Sequence, residues 1–249
     1  MKQVFRVFWG CTLAAALALT GCGRGGAPGS SGAGSMSGSG SGAMSGGTAG
    51  QEQAWRTGLG VVTEAAGSDR AGKITTAAAA VVLDADGKLA DVMLDELELS
   101  VSGGSTGSVT TPEDVRSKRT KGEDYPLAAA SSLGKGWAEQ ADWFADYLTG
   151  RTPDEVKKLK TDENGKPQDA DLVSGCTIAV DRYRDAVVRA CEQAKALGAA
   201  QGDRATLSLI AADLPQDLAA TDDQDAHVQA DITLAALTVD SNGRVTSAI

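Results

Sequence analysis

Two hydrophobic periodicities divide the chain. Between Arg56 and Val101 the apolar residues come in β-prone runs, of which Lys73 to Leu83 and Leu89 to Val101 read as the clearest strands and Arg56 to Glu64 as a third. Further on, Trp137, Ala141, Phe144 and Leu148 fall at i, i+4, i+7 and i+11, one helical stripe, and Gly150 sits where a left-handed helix cap belongs. Thr152-Pro153-Asp154-Glu155 has the form of a capping box with proline at the first helical position, so a second helix is predicted to open there. A third is predicted from about Asp181 to Leu197, burying Tyr183, Val187, Cys191 and Ala194. Strands in one block followed by helices in another predict an α+β fold, an antiparallel sheet with helices packed on it, rather than a doubly wound parallel sheet.

The pattern also echoes itself. Val82 to Val92 (V-L-D-A-D-G-K-L-A-D-V) recurs 156 residues later as Thr238 to Ala248 (T-V-D-S-N-G-R-V-T-S-A). Each is a β-prone run, an Asp, a turn pair (Asp86-Gly87, Asn242-Gly243), a basic residue and a second β-prone run, which reads as a hairpin. Arg56 to Thr63 matches Arg204 to Ala211 more loosely. Either two generic hairpins look alike, or residues 51–200 form one full module and 201–249 a partial repeat of its opening strands.

The N-terminal end follows different rules. Met1 to Arg6 is basic and Leu13 to Leu19 nearly pure Ala and Leu, too short to span a bilayer, so residues 1–21 read as a secretory signal. Its ending, Leu19-Thr20-Gly21-Cys22, resembles the lipobox of bacterial lipoproteins, which implies cleavage before Cys22 and lipidation of that cysteine. The alternative is an ordinary secreted chain with an incidental Cys22. Gly23 to Gly50 holds 12 Gly and 7 Ser in 28 residues, too little apolar surface to offset chain entropy. Residues 22–50 therefore read as a lipidated cysteine and a tether, whose random-coil span is about 30 Å. The expected location is the extracytoplasmic face of the cell membrane, held by the lipid on Cys22.

Composition narrows the function. Without Lys2 and Arg6 of the signal, 33 acidic residues face 21 basic ones, a net charge of −12, which disfavours nucleic acid and an electrostatic grip on anionic lipid. Cys176 and Cys191 are too few for a disulfide framework; they are either one bridge or, the favoured reading, two small buried hydrophobes. His227 is the only histidine, which disfavours a Ser/His/Asp triad and excludes a His-rich metal site. The run Asp222-Asp223-Gln224-Asp225 lacks the glycine and closing glutamate of an EF-hand and reads as a solvated loop. No phosphate loop and no C-x-x-C occurs, so a redox role would need a bound organic cofactor.

Between the second and third helices lies Asp171-Leu172-Val173-Ser174-Gly175-Cys176-Thr177-Ile178, where a Ser-Gly pair allows a sharp turn and Thr177 presents a hydroxyl. This segment resembles the flavinylation motif D-x-x-[ST]-G-[AS]-[TS] of the FMN-binding domain family. Members include subunits of sodium-pumping NADH:quinone reductase and the Rnf complex, and surface lipoproteins of extracellular electron transfer. The resemblance extends over about Arg56 to Leu197, through Gly136 to Val156 and the Asp86 to Val92 hairpin. It implies FMN on Thr177 through a phosphodiester bond installed by a separate flavin transferase, with Asp171 as the motif acid and Ser174 and Gly175 shaping the loop. Cys176 departs from the family pattern, standing where Ala or Ser is usual.

The residues themselves are compatible with that chemistry. A threonine hydroxyl needs a base or metal to attack phosphorus, and the chain offers nothing beside it except carboxylates such as Asp171, which fits modification by another protein. Five of the seven aromatics after the signal, Tyr125, Trp137, Trp143, Phe144 and Tyr147, lie within 23 residues. They are either core or a wall for a flat ring, with Phe144 read as core, Trp137 open between the two, and one of Trp143 and Tyr147 facing solvent. Three functions follow: an anchored carrier whose FMN passes electrons from a membrane donor to an acceptor outside the cell; a family-like surface module without flavin, for binding or structure; and a flavin reductase-type enzyme, disfavoured because no acid-base pair accompanies the motif.

Overall fold

The run Ala77-Ala78-Ala79-Ala80-Val81-Val82-Leu83 is apolar without alternation, as a strand covered on both faces must be. In the computed structural model, which describes residues 54–68, 70–105, 108–212 and 230–249, all seven are buried. Cys22, the signal and tether, His227 and Asp222 to Asp225 lie outside the described residues, which all belong to one compact unit. The chain runs through β1 (Arg56–Ser68), β2 (Ala71–Leu83), β3 (Leu89–Gly103) and a short β4 (Val109–Thr110), forming an antiparallel sheet of order β1-β2-β3-β4. Helices α1 (Lys118–Lys121), α2 (Leu127–Ala130), α3 (Trp137–Leu148), α4 (Pro153–Lys157), α5 (Ala170–Val173) and α6 (Asp181–Gln193) follow. Strands β5 (Arg204–Ala211), β6 (Ile232–Val239) and β7 (Val245–Ala248) make a second antiparallel sheet. The fold is α+β.

Alternation along β2 assigns its two faces. Ala77, Ala79, Val81 and Leu83 join the main core with Phe144, Leu148, Val156 and Val187 from the helices. Ala78, Ala80 and Val82 point the other way, against Leu209, Ala205 and Ala236 of the second sheet. The C-terminal strands therefore pack on this chain's own first sheet. A line of hydroxyls, buried up to the half-buried Thr246, joins the two, running from Thr57 through Ser247 and Thr238 to Thr246, which donates to Asp203 Oδ2. Each hydroxyl has one proton, and Thr246 gives its own to the carboxylate. Every earlier hydroxyl must then donate toward Asp203, which sets the polarity of the whole line.

The strand order, the one-residue register shift before each turn (Val82/Leu83, Thr238/Val239) and the pairs Arg56↔Leu83 and Arg204↔Val239 run parallel in the two sheets. That parallel is one of geometry, which two hairpins with similar Asp-led, Gly-containing turns adopt whether or not they share an origin. The turn is local: Asp84 Oδ1 accepts from the amides of Asp86 and Lys88, and Asp240 Oδ1 from those of Asn242 and Arg244.

Helix α6 packs directly on the backbone of β1 because that strand carries Gly58 and Gly60 beneath it; a Cβ on either would come far inside contact distance of the Ala190 and Ala186 carbonyls. This helix is shorter than the predicted Asp181 to Leu197. It ends at Gln193, and Lys195 exchanges backbone hydrogen bonds of 2.9 Å with Thr57, giving the outer edge of β1 a partner that helical continuation would have withheld. Thr152 caps α4 with Glu155 reciprocating, and Gly150, at φ 82°, follows α3 and donates to Leu89 O.

Candidate functional site

Beyond Leu94 the helix-facing row of β3 changes character, from Val92 and Leu94 to Glu96 and Glu98. Glu96, fully buried, lines a cleft of about 430 Å³ that Thr177 also lines. Lys118 brings Nζ to 2.5 Å from Glu96 Oε1, a charge contact without hydrogen-bond alignment, and Arg182 donates to Oε2 at 3.4 Å. Burial, the largest single influence, works to lower the Lys118 pKa, but Glu96 and Tyr125 together outweigh it and leave the ammonium above its ordinary value; Glu96, Tyr183, Glu64 and Asp181 together do the same for Arg182. Lys166 is the third cation of the lining. The cleft thus carries three cations against one carboxylate in a chain of net charge −10.

Aromatic rings form part of its wall. Trp137 is 2 % exposed and donates Nε1–H to Tyr183 Oη at 3.1 Å, the two rings standing edge to face at 5.9 Å. Burial, then the nearby Glu96 charge, push the Tyr183 phenol well above its ordinary range, so it stays protonated. Tyr125 completes this side, with Lys118 Nζ 4.8 Å from its ring centre. Phe144 is core, Trp143 is 40 % exposed, and Tyr147 is half-buried with Arg151 over its ring.

The motif loop is held from beneath. Asp169 caps α5, accepting from the amides of Asp171 and Leu172, and Leu172 is buried in the core. Ser174 is exposed, its hydroxyl bonded back to Asp171 O at 2.7 Å. Gly175 lies under the Trp143 indole: a Cβ there would come within 2.1–2.5 Å of the ring, so a larger residue would have to push that exposed side chain aside. Cys176 is buried in the core, and Cys191 likewise; both are free thiols, so the bridge between them does not form. Thr177 is half-buried, and both its N–H (2.9 Å) and its hydroxyl (3.1 Å) donate to Gln140 Oε1.

Of the residues singled out in the sequence, Thr177 and Trp137 meet at the cleft, whereas Asp171, Ser174, Gly175 and Cys176 are not part of its lining. Among the described residues the exposed Asp171 makes no hydrogen bond to Thr177, and the hydroxyl's partner is Gln140 rather than a carboxylate. Sequence reasoning missed Gln140, Glu96, Lys118, Lys166 and Arg182. Signals existed for most of them. Gln140 is a polar residue on the apolar stripe of α3, and Glu96 alternates with Leu97 in a strand. Lys118 sits in a run with four basic residues in six, Arg116 to Lys121. Lys166 ends Asp162-Glu163-Asn164-Gly165-Lys166, a third copy of the Asp-led turn, in which Asp162 Oδ1 accepts from Asn164 and Lys166. Gly165 O fastens this turn to Val180 N at 2.7 Å, just before α6.

Among the described residues no group of His, Cys, Asp and Glu could hold a metal ion, and no helix is long and apolar enough to cross a membrane. Comparison with known protein families, curated proteins and solved structures finds no match to this chain.

Proposed function

We propose that this protein is a lipid-anchored electron carrier of the cell surface, holding FMN covalently on Thr177. The observation that carries the reading is the placement of that hydroxyl on a cleft that is both cationic and aromatic-walled. A flavin mononucleotide asks for that combination: positive charge and N–H donors for a phosphate, flat apolar walls for the ring, and polar atoms at its rim. Lys118, Lys166 and Arg182 would hold the anionic end, and Trp137, Tyr125 and Tyr183 would flank the ring. One buried polar atom of the cleft, Arg182 Nε, has no hydrogen-bond partner and is available to a ligand. The volume is in the range of small-molecule sites.

When bound, the flavin would supply the redox chemistry, and this chain's residues position it and set its surroundings. Gln140 is not basic enough to activate Thr177, so attachment is assigned to a flavin transferase. Cys176, the departure from the family pattern, is buried, so that side chain is not one a transferase reads. Electrons would enter from a membrane donor, with Cys22 and the tether keeping the domain at the surface.

Co-expression with a flavin transferase tests the reading. Mature wild-type protein is expected to fluoresce in a denaturing gel and to gain the mass of FMN, and Thr177→Ala protein to fold and gain neither. Unmodified wild-type protein from such cells would leave the flavin-free surface module as the reading. Cys22→Ser is expected to leave the membrane fraction; its retention there would exclude the lipid anchor.

A further inference from the structure

We infer that Gln140 is the positioning residue for modification of Thr177, an inference that rests on Thr177 being the attachment site. The Gln140 side chain is completely buried and all its hydrogen-bonding capacity is used. Nε2 donates to Ser131 Oγ and to Lys135 O, both at 3.0 Å, and Oε1 accepts twice from Thr177. A carbonyl can only accept and a backbone N–H can only donate, so Lys135 O and Thr177 N together exclude the flipped amide.

The consequence falls on the Thr177 oxygen. Its proton is engaged by Gln140, so its lone pairs are directed away from α3, and Thr177 lines the cationic cleft. A nucleophile with one rotamer and its lone pairs free needs no search for the attacking geometry. In the reaction, a bond forms between Thr177 Oγ1 and the flavin-side phosphorus of a flavin dinucleotide. The bridging P–O bond breaks, a nucleoside monophosphate leaves, and the hydroxyl proton passes to a base of the transferase, since an amide oxygen cannot keep it. Nothing is oxidised or reduced. The cations Lys118 and Arg182 lie on the side from which the negative phosphoryl group would approach.

The test is the rate of flavin attachment to purified, unmodified full-length mature protein, with transferase and flavin dinucleotide supplied and the adduct followed by intact mass. Gln140→Leu is expected to lower the rate at saturating protein about 10- to 100-fold, with little change in the concentration giving half-maximal rate. In folded Gln140→Leu protein the scalar couplings at Thr177 are expected to show rotamer averaging, which a purely structural role for Gln140 would not produce. A folded Gln140→Leu protein modified at the wild-type rate would overturn the inference. Should the leucine variant not fold, the wild-type protein decides alone: scalar couplings at Thr177 are expected to report a single side-chain rotamer, and rotamer averaging would overturn it. Wild-type protein that takes up no flavin at all removes the attachment site itself, an outcome distinct from both.

Discussion

Adding one methyl group to Gly60 should loosen the seam on which the helix layer rests. The Cβ of Gly60→Ala would lie 2.0 Å from Ala186 O and 2.4 Å from Ala190 N, both backbone atoms of α6 that no side-chain rotation can move aside. Ordinary carbon–oxygen contact requires the helix to withdraw by about 1 Å or more, and a gap of that size forfeits a quarter to a half of the dispersion attraction along the seam. Overpacking of this kind costs about 1–3 kcal/mol, and rigid backbone on both sides places Gly60 at the upper end. The better strand propensity of alanine returns about 0.5–1 kcal/mol. The net expectation is about 2 kcal/mol, or roughly 4–8 °C in Tm for a domain of this size. Urea unfolding should show a lower midpoint with an unchanged slope. Gly67→Ala is the control, since its Cβ would meet Ala71 O at 3.3 Å on an exposed stretch of β1. Gly58→Ala meets Ala190 O at 2.0 Å, and because one withdrawal of α6 relieves both clashes, the double variant should lose less than the sum. A wild-type midpoint for Gly60→Ala, or an equal loss in Gly67→Ala, would refute the close approach of helix to strand.

The remaining expectations concern buried charge and buried thiols. Lys118→Met leaves the fully buried Glu96 carboxylate with Arg182 at 3.4 Å as its remaining ion pair, and thermal or urea unfolding should show a loss of about 3 kcal/mol that Glu96→Gln in the same protein largely reverses; an unchanged single variant would remove the ion pair from the account of stability. Burial pushes the Cys176 thiol up to about 11 and Cys191 to about 12, so neither should react with a thiol reagent at pH 8 until the protein unfolds. The unfolded chain releases these protons near the ordinary value of 9.0, so their contribution to stability is full below that pH and is lost as pH rises toward 11 and 12. That alkaline loss should be shallower in Cys191→Ala; identical slopes would mean other groups dominate it.

Much of the architecture was legible one element at a time. The unbroken apolar run of β2, the stripe of α3, the Thr152 capping box and the Asp-led turns each state a preference in a few neighbouring residues, because dihedral angles, caps and alternation are set by local sterics and hydrogen bonds. The end of α6 was not legible, since nothing after Gln193 forbids helix; the open edge of β1, more than a hundred residues earlier, recruits Lys195. The candidate site divides in the same way. Thr177 and its loop could be picked out as a motif, and Trp137 as one ring of a cluster. Which cations would surround them could not, because Lys118, Lys166 and Arg182 arrive from α1, a hairpin and α6, and become neighbours only when those elements pack over the polar end of β3. Gln140 shows the limit most clearly. Its place on a helix face follows from the 3.6-residue period, but the direction of its carbonyl, and so of the Thr177 hydroxyl, is decided by Lys135 O and Thr177 N, which only the folded chain brings to opposite ends of one amide.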